Sequence, residues 1–78
     1  MSNQEVKDVL AKVNTSEIKS IVIRTIGLID VFGKLIIDIK YNNAKEQSIE
    51  ILSPVPVNII TDWLNTNNLL DKSILYKF

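Results

Sequence analysis

Two aspartates, Asp30 and Asp38, stand with Arg24, Lys34 and Lys40 in or beside an apolar run, IVIRTIGLIDVFGKLIIDI, at residues 21 to 39. Paired carboxylates can share general acid and general base work, or hold a hard cation. They need unlike environments and a held substrate to do so. On hairpin strands, charges at this spacing more often keep sheet edges from pairing with other chains. The chain has no cysteine and no histidine. Thiolate nucleophiles, disulfides, the commonest metal ligand and the commonest neutral-pH base are therefore all missing. Gly27 and Gly33 lack the spacing and the following helix start of a phosphate-binding loop. These residues predict no enzyme, no cofactor and no metal site.

The other chemistry open to cations is nucleic-acid binding. Nine basic and nine acidic residues give a formal net charge of zero. Binding through phosphates needs a basic excess or stripe, whereas Arg24 is the only arginine and the lysines are scattered from Lys7 to Lys77. Nucleic acid is disfavoured as a partner, and near-zero charge favours self-association. No uncharged run reaches the roughly 18 residues of a membrane span, and the polar start MSNQEVKDVL does not read as a signal peptide. The expectation is an intracellular, cytoplasmic protein without a membrane partner.

Seventy-eight residues make one small domain. A chain of this size buries only about 60% of its unfolded surface, so its stability is marginal without help. With disulfides excluded, oligomerisation or a partner is the remaining aid, and a 46% hydrophobic content supplies the surface.

The elements that position these groups follow from periodicity. Residues 2 to 13 read as an amphipathic helix: Ser2 and Glu5 have capping-box spacing, and Val6, Val9, Leu10 and Val13 form one stripe. From Lys19 the period becomes two, with β-branched residues dominant, and a strand is expected to about residue 30 or 31. Phe32-Gly33-Lys34 is the expected hairpin loop. Residues 35 to 41 form a second strand, NNAKEQ a turn, and residues 48 to 52 a third strand. Ser53 then reads as a helix N-cap with Pro54 at the first helical position. Val57, Ile60, Trp63 and Leu64 line the apolar side of that helix, and Asn65, Asn67 and Asn68 end it. The tail, with Ile74, Tyr76 and Phe78, reads as a short fourth strand or a docked extension. The fold class is α+β: a three-stranded antiparallel β-meander flanked by an N-terminal and a C-terminal helix, in the order α-β-β-β-α.

In this arrangement the odd-numbered residues of the first two strands, among them Ile23, Ile37 and Ile39, share one face, and pairing Tyr41 with Ile49 sets Lys40 opposite Glu50. Two helices cover that face. The second face is the puzzle. Arg24, Lys40 and Glu50 suit solvent, but Ile26, Leu28, Ile36 and Leu52 gather towards the hairpin tip near Phe32. Two readings stay open: an interaction surface, or cover by the C-terminal segment through Tyr76 and Phe78. A pocket lined by Val22, Ile26, Leu28 and Trp63 would lack placed polar groups, so no small molecule is expected.

Two partial resemblances accompany this pattern. The α-β-β-β-α order is similar to that of double-stranded RNA-binding domains, which read RNA partly through lysines at the start of the last helix. That start is SPVPVN here, with no lysine. IDVFGKLIIDI, residues 29 to 39, resembles the hairpin of swapped-hairpin transcription regulators and antitoxins, without their following proline and short basic helix. That likeness implies a hairpin-exchanged dimer with Arg24, Lys34 and Lys40 as DNA contacts. The primary expectation is a non-catalytic protein–protein interaction module. It would be a small inhibitor, adaptor or assembly factor of the kind found in viruses and mobile elements. Its partner is a protein or a second copy in a homodimer. Ile26, Leu28, Phe32 and Ile36 would be buried at the interface, with Arg24, Asp38 and Lys40 at its rim.

Overall fold

The computed structural model describes residues 2–77. Helix α1 spans Asn3–Ala11, and both halves of the capping box are present: the Glu5 amide donates to the Ser2 hydroxyl and the Ser2 amide donates to the Glu5 carboxylate. Lys12 caps its C-terminal end, and Asn14 leads into a 3₁₀ turn, Thr15–Glu17. Three antiparallel strands follow, β1 (Ile18–Gly27), β2 (Gly33–Tyr41) and β3 (Glu46–Leu52). Helix α2 (Val57–Thr66), a second 3₁₀ turn (Leu70–Lys72) and β4 (Ser73–Lys77) complete the chain. The sheet order is β3-β2-β1-β4, and β4 runs parallel to β1. The expected meander and both helices are present, and the short C-terminal strand makes the sheet mixed. Phe78 and the side chain of Tyr76 lie outside the described residues.

Alternation assigns the faces as expected. Ile21, Ile23, Ile37, Ile39, Ile49 and Ile51 are buried against Val6, Leu10 and Val13 of the N-terminal segment and Ile60 and Leu64 of α2. Each such side chain contributes roughly 1.5–3 kcal/mol through apolar area removed from water. No buried polar side chain occurs among the described residues. Trp63 is half-buried at the edge of this core.

The registers differ from expectation at both turns. β1 ends at Gly27, not near Asp30, and Gly27 pairs with Gly33, so residues 28–32 form the loop in place of Phe32-Gly33-Lys34. Gly27 has φ +73°, and a Cβ there would stand 2.6 Å from the Phe32 carbonyl oxygen. Glycine is thus required where the strands close. β3 begins at Glu46 rather than Ser48, because the reversal is completed within residues 42–45. Ala44 takes a left-handed φ of 69°, and the Lys45 amide donates to Asn43 Oδ1 at 3.1 Å. Ile49 consequently pairs with Ile37, Lys40 with Glu46 and Glu50 with Ile36, which replaces the expected Tyr41–Ile49 and Lys40–Glu50 pairs. Both shifts preserve parity, so the core face survives them.

Ser53 is not a helix cap. α2 begins at Val57, preceded by Pro56 with no side-chain cap. The Ser53 hydroxyl is instead committed to the hairpin loop, at the Leu28 and Gly33 carbonyl oxygens. A tertiary bond has displaced the local capping preference.

Candidate interaction surface

The sheet face away from the helices divides into a charged middle and an apolar end. In the middle, Arg24 Nη2 contacts Asp38 Oδ2 at 2.8 Å, Lys34 Nζ contacts Glu50 Oε1 at 2.5 Å, and Lys40 Nζ lies 3.9 Å from Glu46 Oε1. The Ser48 hydroxyl also donates to Asp38. Each cation therefore faces a carboxylate. These pairs are solvated and each contributes about 0–1 kcal/mol. The Arg24 Nε is buried without a partner among the described residues, beside a shallow depression of about 510 Å³ whose lining includes Val22, Asp38, Lys40 and Ser48.

Ile36 sits inside this charged ladder. Arg24 and Glu50 are its cross-strand partners, and Lys34 and Asp38 flank it two positions away on β2. The residue is only 8% exposed, so it is buried although it lies on the face away from the helices.

The apolar end is built by the hairpin. Ile26 and Leu52 flank Lys34 from the two neighbouring strands, and beyond them the loop presents Leu28, Val31 and Phe32 at 69%, 65% and 84% exposure. The loop is firmly held. The Leu28 amide donates to the Phe32 carbonyl at 2.7 Å, the Val31 amide to the Leu28 carbonyl at 3.1 Å, and the Val55 amide to the Ile29 carbonyl at 2.9 Å. Ile29 packs against the core. Leu28, Val31 and Phe32 thus point outward from a backbone fixed at both ends.

Of the seven residues singled out from sequence, Ile26, Leu28 and Phe32 lie together at this end, Arg24, Asp38 and Lys40 in the charged middle, and Ile36 between the two. Val31 and Leu52 belong with the tip. Val31 was assigned to a strand in sequence, and its outward position follows from the longer loop. Asp30, exposed on the loop, and Asp38, in mid-sheet, are not brought together, and no group of three or more metal-ligating side chains occurs among the described residues. Trp63 lies on the helix side and lines, with Lys7, Leu10, Ala11 and Ile59, a groove of about 330 Å³ between α1 and α2, remote from Val22. No described helix is long and apolar enough to cross a membrane. No protein family model matches the chain, and no curated protein or solved structure matches it significantly.

Proposed function

We propose that the protein is a non-catalytic interaction module that docks its hairpin tip into an apolar recess of a protein partner or of a second copy of itself. The carrying observation is that a loop pinned by Ser53 and Val55 holds Leu28, Val31 and Phe32 in water. Exposed apolar groups on a fixed backbone lose little conformational freedom on binding, which is what preorganised interfaces exploit. A contiguous apolar patch rimmed by polar residues is the usual mark of a protein contact. Arg24, Asp38 and Lys40 then orient the partner from the rim. A lipid surface fits less well. The loop carries Asp30 and no lysine or arginine, so anionic headgroups gain no electrostatic attraction there.

The test is a sedimentation-velocity concentration series of the full chain, with a tagged pull-down from lysate run with and without nuclease. Phe32→Asp serves as the control in both. Association, with itself or with a stoichiometric protein that survives nuclease, should be lost in Phe32→Asp. Association unchanged in the variant, or recovery of nucleic acid in place of protein, would overturn the reading.

A further inference from the structure

A second feature, independent of the hairpin tip, is the outer edge of β3. Ser53 donates its amide to the Gly33 carbonyl, and Tyr41 donates its amide to the Lys45 carbonyl. These bonds make the odd-numbered β3 residues the ones whose main-chain groups face β2. The amides and carbonyls of Glu46, Ser48, Glu50 and Leu52 consequently point outward from a strand with no neighbour on that side among the described residues. All four residues are exposed. Natural sheets blunt such edges with proline, charged side chains (lysine above all), a bulge or a covering segment. β3 has no proline or lysine, its register with β2 runs unbroken from Leu52 to Glu46, and its two charges, Glu46 and Glu50, oppose an acidic strand but not a basic one.

The side chains beside those free groups give the edge a chemical preference. On the open face the outermost row reads Glu46, Ser48, Glu50 and Leu52, while the cations that meet the two carboxylates, Lys40 and Lys34, lie inboard on β2. An approaching strand therefore meets two carboxylates four residues apart, then an apolar side chain. We propose that this edge accepts an added antiparallel strand from a protein partner. That strand is an extended segment with an apolar residue opposite Leu52 and Lys or Arg opposite Glu50 and Glu46. Main-chain bonds supply affinity, and the alternating side chains supply specificity.

A second copy of the chain suits the edge poorly. Two-fold pairing of β3 centred on Ser48 sets Glu46 of one copy directly opposite Glu50 of the other, and like charges so placed are destabilising. Centring on Ile49 puts the two Glu50 carboxylates on a diagonal and Glu46 opposite Leu52. A basic strand meets neither obstacle.

The probe is a labelled peptide, Ile-Thr-Lys-Val-Thr-Thr-Lys, compared with its counterpart carrying Glu at both Lys positions. Fluorescence anisotropy measures binding to the full chain, and amide shifts in a ¹⁵N-labelled sample locate it. The Lys peptide should bind and move the amides of Glu46, Ser48, Glu50 and Leu52. Loss of two exposed ion pairs should weaken the Glu peptide about tenfold or more. Ser48→Pro removes an outward donor without breaking the β2 ladder, and it should abolish binding. N-methylating the peptide threonine opposite Ser48 should do the same with the protein untouched, which keeps the test valid if the variant fails to fold. Phe32→Asp should leave peptide binding unchanged, separating this edge from the hairpin tip. Equal binding of the two peptides, no binding of either, binding that survives both blocks, or shifts confined to α1 and α2 would each overturn the proposal.

Discussion

The Ser53 hydroxyl donates to the Gly33 carbonyl oxygen at 2.8 Å and approaches that of Leu28 at 3.1 Å, so one side chain ties the end of β3 to both sides of the β1–β2 loop. A hydroxyl has a single proton, and the two carbonyls share it. Ser53→Ala removes that donor, while the Ser53 and Val31 amides still donate to the Gly33 and Leu28 carbonyls. The expected cost is about 0.5–1.5 kcal/mol, read as a lower denaturant midpoint with unchanged slope, together with faster hydrogen exchange at the Val31 and Leu28 amides.

Gly27 carries the strand into that loop at a positive φ. Gly27→Ala combines left-handed strain with a Cβ too near the Phe32 carbonyl, and a loss of roughly 1–3 kcal/mol is expected. A thermal melt equal to that of the parent chain would show that the loop relaxes freely around an added methyl.

Exposed tip residues should behave in the opposite way. Leu28→Asp and Phe32→Asp replace side chains that meet mostly water, so stability should stay within about 0.5 kcal/mol of the parent, while association is lost. Chemical denaturation and sedimentation on the same samples read both quantities.

Ile36 should separate from the tip in such experiments. Because it is buried but lies outside the main core cluster, Ile36→Ala should cost about 2 kcal/mol, the low end for a buried isoleucine. Ile36→Lys should impair folding rather than act as a clean interface variant, and equilibrium unfolding distinguishes the two.

Removing Asp38 should matter less than its central position suggests. The Arg24 and Asp38 side chains keep 38% and 35% exposure, so a double-mutant cycle with Arg24→Ala and Asp38→Ala should give a coupling of at most about 1 kcal/mol, declining as salt is raised.

Local rules reached the capping box at Ser2 and Glu5, the two helices, and the inward isoleucines, because each depends on residues a few positions apart. The turns were harder. Leu28 to Phe32 continues the apolar pattern of β1, so periodicity runs past Gly27 and misplaces the loop. Glu46 and Gln47 look like turn residues by composition, although Asn43 and Ala44 have already reversed the chain. Ser53 has every local attribute of a helix cap, and only the folded hairpin supplies the competing carbonyls. At the surface, Ile26, Leu28 and Phe32 were legible as an apolar group. The burial of Ile36 was not, since alternation places it on the face away from the helices.

The parallel seam between β1 and β4 has a temporal consequence. β1 to β3 form a meander whose pairings close over short turns, but Ile21 meets Ser73 and Thr25 meets Lys77 only after the intervening chain has doubled back through α2. Closing so large a loop is entropically costly until the meander and α2 supply a surface to receive it. Assembly should therefore run from the meander outward, with β4 arriving last. Its amides should exchange ahead of those at the β1–β2 seam under native conditions, making the C-terminal strand the earliest reporter of partial opening.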